Sequence, residues 1–157
     1  MHGISLGVDA HIVNLIPPVD ITGGAAPDVF SMKKHAHATI IIQIGVSAAA
    51  PTSIILNGCD NFAGDNPVAI PFDCRKEETA NGDTLDAKTT YAATGITAPS
   101  ANNGIMYVLE IDAEKLPAGK EFILLAIANG VNSVIASAVA ILTGARYAGE
   151  ESATAIA

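Results

Sequence analysis

Charge is what this chain has least of for its size. Charged residues fill 15% of its 157 positions, against about 25% in an ordinary soluble domain. A domain that stands alone in water needs a charged skin. The shortfall, together with a positive mean hydropathy, points to surface hidden against partners. The charges present are 8 basic and 16 acidic, a formal net charge of −8. Affinity for phosphate backbones comes from clustered Lys and Arg. Here the only adjacent basic pairs are Lys33–Lys34 and Arg75–Lys76, so nucleic acid is not an expected partner.

Long apolar runs are also missing. None reaches the ~18 uninterrupted residues of a membrane span, and the longest candidate, Val131 to Leu142, is broken by Asn132, Ser133 and Ser137. No basic residue precedes the first apolar stretch, and Asp9, His11 and Asn14 interrupt it, which argues against a secretory leader. The expectation is a protein made in the cytoplasm with no membrane partner. Cysteine is scarce: Cys59 and Cys74 are the only two, too few for a disulfide scaffold and without C-x-x-C spacing. A hairpin centred near Ala63 and Gly64 sets Cys59 opposite Val68 and Cys74 opposite Ser53, which separates the sulfurs beyond bonding distance. Tryptophan is absent and aromatics are 4% of the chain. That disfavours a sugar-binding sandwich, which stacks rings on its ligand.

What remains is a chain that is half apolar, rich in Ile, Val, Leu and Ala, and long enough to bury one core without cross-links. Short β-branched runs alternate with Gly, Pro, Asn and Asp clusters, the pattern of an antiparallel sandwich. This predicts an all-β fold: a jelly-roll-like antiparallel β-sandwich of about eight strands. It has an N-terminal arm with the first strand over residues 1–27, a sandwich domain over 28–146 and a C-terminal tail over 147–157. The strongest strand is Ala36 to Ser47, whose Ile40, Ile41, Ile42, Ile44 and Val46 suit a central position partly shielded on both faces. His11 to Ile16 is a strand stopped by Pro17 and Pro18, Val29 to Met32 a short one, and Thr52 to Asn57 the next. In Val68 to Cys74, Pro71 demands an edge or a bulge. Thr89 to Thr94 follows. Ile105 to Asp112 alternates, with Ile105, Tyr107, Leu109 and Ile111 on one face and Met106, Val108, Glu110 and Asp112 on the other. Glu121 to Ala128 and Val134 to Leu142 flank Asn129-Gly130, which suits a hairpin turn and predicts that these two strands pair.

Candidate sites are few. His35 and His37 stand two apart, so on a strand they share a face and offer two imidazoles to a metal, but no third ligand accompanies them. Asp60, Asn61, Asp65 and Asn66 crowd one loop without the spacing of a calcium site, and such residues cap turns on their own account. Glu77, Glu78, Asp83 and Asp86 lie in a Gly-broken polar stretch that reads as solvated surface. No nucleophile elbow, phosphate loop or zinc-protease motif occurs. The expectation is a non-enzyme with no catalytic, cofactor-binding or metal-binding residues and no cofactor.

Three phrases carry a resemblance. They are Val19-Asp20-Ile21, then Phe30-Ser31-Met32-Lys33, then His37-Ala38-Thr39-Ile40-Ile41-Ile42-Gln43-Ile44-Gly45. The ending agrees, with Val139 to Leu142 followed by Thr143-Gly144-Ala145-Arg146-Tyr147 and an Ala-rich tail. This layout resembles small virion proteins of tailed bacteriophages, and it implies a capsid decoration, or cement, protein. The resemblance implies a β-sandwich on the outer surface of a virion capsid, made in the host cytoplasm, that clamps the shell between coat subunits. Its partners would be the major capsid protein and copies of itself, as a trimer or dimer. The arm, Met1 to Pro27, and the tail, Tyr147 to Ala157, look like the parts that reach neighbours. A phage tail or fibre component and a carbohydrate-binding sandwich are the alternatives.

Overall fold

In the computed structural model, which describes residues 3, 5–147 and 154–156, the alternating stretch is the clearest strand. Ile105, Tyr107, Leu109 and Ile111 are buried, while Met106, Val108, Glu110 and Asp112 are half-exposed. The same period-two rule builds the rest. In chain order the strands are β1 (His11–Asp20), β2 (Phe30–Ser31), β3 (His35–Ser47), β4 (Ser53–Cys59) and β5 (Val68–Ile70), then β6 (Phe72–Glu77), β7 (Thr89–Tyr91), β8 (Ile105–Asp112), β9 (Phe122–Ala128) and β10 (Val134–Ala145). One helical turn, α1 (Leu6–Asp9), precedes β1, and a 3-10 turn, Ala113–Lys115, follows β8.

The strands form a six-stranded sheet ordered β1-β10-β3-β8-β6-β7 and a four-stranded sheet ordered β2-β9-β4-β5. Every pairing is antiparallel, and the pairs nest: β1 with β10, β2 with β9, β3 with β8, β4 with β5. The chain is thus one long ribbon, doubled back at the β4–β5 loop and rolled so that successive strands switch sheets. That is the jelly roll, an all-β sandwich as the sequence predicts. β6 and β7 widen the larger sheet beyond β8. β3 is central, with Ala38, Ile40, Ile42 and Ile44 no more than 1% exposed. Its shielding is one-sided, for Ile41 on the other face is only half-buried.

Four local expectations are corrected. The stretch Val68 to Cys74 is two strands, because Pro71 cannot donate to a ladder and the chain crosses there from the smaller sheet to the larger. β9 and β10 do not pair; they lie in different sheets. Neither Asn129 nor Gly130 has a positive φ, so the turn a tight hairpin needs is not made. Asn129 Nδ2 instead donates to Ile21 O at 3.2 Å and Asn132 O at 3.0 Å, tying the crossover to the end of β1. Pro17 and Pro18 do not stop β1, since an edge strand has one ladder to satisfy and its register shifts between Asn14 and Ile16 and again between Ile16 and Val19 absorb them. Finally, Val68 lies opposite Gly58, not Cys59, and Cys74 stands in the other sheet opposite Leu109; both thiols are free and buried.

The chain ends also differ from expectation where they are described. Val13, Leu15, Ile16 and Ile21 are buried in the main core, so this part of the arm is integral to the sandwich. Of the tail, Ala155 is buried and its carbonyl accepts the Ser31 N–H at 2.8 Å, holding it beside β2. Residues 148–153 and 157 lie outside the described residues.

Candidate assembly surface

A sandwich sheet normally alternates apolar inside with polar outside. The larger sheet keeps the first half of that rule and breaks the second. Its inward row Val13–Ala140–Ile40–Leu109–Cys74 is buried throughout. The adjacent outward row reads Asn14–Val139–Ile41–Val108–Arg75 across the same five strands, and three of its members are branched aliphatics. The next row adds Ile12, 51% exposed, and Ile141. Toward the other end stand Met106, beside Gln43, and Ile135 at 38% exposure. The result is an aliphatic band across β10, β3 and β8, joined to β1 through Ile12 and Ile141, with Asp20 on β1 and His37, Glu110 and Asp112 on β3 and β8 at its borders.

The sheet edges, by contrast, are blunted. Pro17 and Pro18 lack an N–H to offer, and β2, β5 and β7 are two or three residues long. Leu15 O is taken by the Asp28 N–H at 3.1 Å, and Ile54 exchanges two 2.9 Å bonds with Ile96. Short edges, prolines and covering loops are how sandwiches avoid strand addition. The edges are thus closed to strand addition, while the outward face of the larger sheet stays open to solvent.

One polar cluster borders the band. His37, on the outward side of β3, has Nδ1 2.7 Å from Asp112 Oδ1 and Nε2 2.5 Å from Glu110 Oε2, both on β8. Thr39 Oγ1 donates to the same Glu110 oxygen at 2.8 Å. Partial burial disfavours the imidazolium, but the hydrogen bonds to Asp112 and Glu110 outweigh it and hold His37 above its ordinary 6.5. The His37 bond in turn lowers Asp112.

His35 and His37 do not present two imidazoles side by side. His35 is buried and stacks on His11 at a ring-centroid distance of 6.0 Å. Among the described residues no group of three His, Cys, Asp or Glu side chains is arranged to hold a metal. In the Asp60–Asn66 loop the side chains cap one another: Asn61 Nδ2 donates to Asp65 Oδ2 at 2.8 Å and Asn66 Nδ2 to Asp60 Oδ2 at 2.7 Å. Lys120 Nζ closes the loop on Asp60 Oδ1 at 2.5 Å and Asn66 O at 2.8 Å.

The acidic stretch does similar local work. Glu77 is buried, and its carboxylate accepts the Thr79 and Thr84 N–H groups at 2.7 and 2.9 Å, which lowers its pKa. Gly82 passes so near that a Cβ there would stand 2.5 Å from the Glu77 carboxyl carbon. Glu78 accepts the buried Tyr107 hydroxyl at 2.7 Å and pairs with Lys76 at 2.7 Å. Asp86 accepts the Lys76 N–H at 3.0 Å. These carboxylates pin loops.

No family model matches the chain, and no curated protein matches it. Among solved structures it is similar to the crystal structure of SPBc2 prophage-derived protein YomS, at 12% identity and a TM-score of 0.44. The match covers 84% of this chain and 94% of that one.

Proposed function

We propose that this protein is a non-enzymatic structural component of a bacteriophage virion that decorates the capsid, binding the outer shell between coat-protein subunits. The observation that carries the reading is the outward aliphatic band of Ile12, Ile41, Val108, Val139 and Ile141. Apolar area left on the outside of a folded domain serves association, and removing it from water is worth about 25 cal/mol per Å². The phrase-level resemblance to phage decoration proteins supplies the setting, and the small charge content agrees with a surface that is partly covered. The fold itself is neutral on this point, since jelly rolls serve capsids, lectins and enzymes alike.

The mechanism is mass action. Each copy binds the closed shell and not its separated parts, so it lowers the free energy of the closed state. The partners are the major capsid protein and, within a trimer or dimer, copies of this chain. Particles lacking the protein are expected to release their genome at a lower temperature than complete ones. Equal release temperatures would refute the role, and full occupancy of tails rather than heads would move the protein to the tail or fibre.

A further inference from the structure

We propose that His37, Glu110 and Asp112 form a protonation-dependent clamp that ties β3 to β8 at the border of the outward face. The inference is independent of what covers that face. A neutral imidazole has one N–H and one lone pair, yet both ring nitrogens of His37 lie within 2.7 Å of a carboxylate oxygen. With one proton on the ring, one of the two contacts sets lone pair against lone pair. With two, both are charge-assisted hydrogen bonds, which are the short and strong kind.

The neighbours favour the charged form. On β8, Glu110 and Asp112 face the ring, and on β6, Asp73 stands opposite Glu110. The countercharges are Lys115, 3.4 Å from Asp112 Oδ2 and 3.9 Å from Asp73, and Lys88, 3.0 Å from Asp73. On the other side β10 places uncharged Thr143 opposite His37. The cations are therefore already engaged with Asp73 and the far oxygen of Asp112. His37 is the group that neutralises the near oxygens.

The pH window follows. A histidine held above its unfolded value stabilises the fold fully below that value and ceases to as pH rises through the folded one. A depressed aspartate stabilises it above the unfolded value and ceases to as pH falls. The His37–Asp112 contact stabilises fully between the ordinary aspartate value of 3.8 and the ordinary histidine value of 6.5, and is lost as pH rises through the raised His37 value. On opening, the row loses one positive charge, and Glu110 and Asp112 are left side by side on the face.

The test is an NMR titration of the His37 ring nitrogens in the intact chain, with Glu110→Gln and Asp112→Asn as variants and thermal melts of wild type and His37→Gln over the same range. The expected result is a ring with both nitrogens protonated at pH 6 and a midpoint above 6.5, lowered by each carboxylate substitution. The stability advantage of wild type over His37→Gln should shrink as pH rises past that midpoint. A wild-type midpoint at or below 6.5, or one that neither substitution moves, overturns the clamp. The wild-type titration decides the matter even if His37→Gln fails to fold.

Discussion

The two faces of the larger sheet are made from the same strands and nearly the same residue types, yet the fold uses them differently. On the inward face, Ile40, Leu109 and Ala140 meet the smaller sheet and are essentially unexposed. On the outward face, Ile41, Val108 and Val139 occupy neighbouring positions of the same ladders and remain half-open. The inward aliphatics hold the sandwich together. The outward ones form the face on which the proposed docking rests.

That contrast can be broken at several points. The largest effect should come from Leu109→Ala, which empties a site between the sheets; a loss of about 2–5 kcal/mol in chemical denaturation is expected. Tyr107→Phe comes next. It keeps the ring but leaves the Ser100 N–H, 2.9 Å from the hydroxyl, and Glu78 without that partner, at a cost of about 1–3 kcal/mol.

Ile41→Thr, Val108→Thr and Val139→Thr preserve β-branching on the outward face, and each should cost about 1 kcal/mol or less in the isolated protein. A loss as large as that of Leu109→Ala would mean that the outward face is part of the fold after all. The smallest effect is a null one. Burial drives the Cys74 thiol on the inward face up to about 12, so alkylation at pH 8 should leave it untouched until the protein unfolds. A cysteine placed at Val108 should react at once. Comparable rates at the two positions would erase the distinction between faces.

Much of the fold was legible because period-two patterning is local. Ile105 to Asp112 assigns its own faces, and the β-branched density of Ala36 to Ser47 marks a central strand. The separation of β9 and β10 into different sheets was not legible, for a physical reason. In a rolled ribbon, strands adjacent in sequence on one arm face each other across the core, and each pairs with the opposite arm. Alternation looks identical in both cases, and Asn129-Gly130 permits a tight turn without requiring one. Pro17-Pro18 misled in the same way, since prolines stop a central strand but only shift the register of an edge.

The clamp was half visible. His37 stood out in sequence, but beside His35, which turns out to be buried against His11. Its true partners, Glu110 and Asp112, lie 73 and 75 residues away. The signal was present in the polar end of the outward face of β8, and only the β3–β8 register joins the two. The aliphatic band was hidden likewise: Ile41 read as shielded on both faces and Val108 as the outer face of its own strand, and only the ladders join them to Val139 on one surface.

The account turns on that band, and the most direct measurement is the number of copies bound to capsids by the Ile41→Thr, Val108→Thr, Val139→Thr triple variant. Wild type and variant would be added to particles lacking the protein, after melts establish that both are folded. The outward face as a docking surface predicts that wild type fills its sites and the variant leaves most of them empty. A folded variant that reaches wild-type occupancy would contradict it.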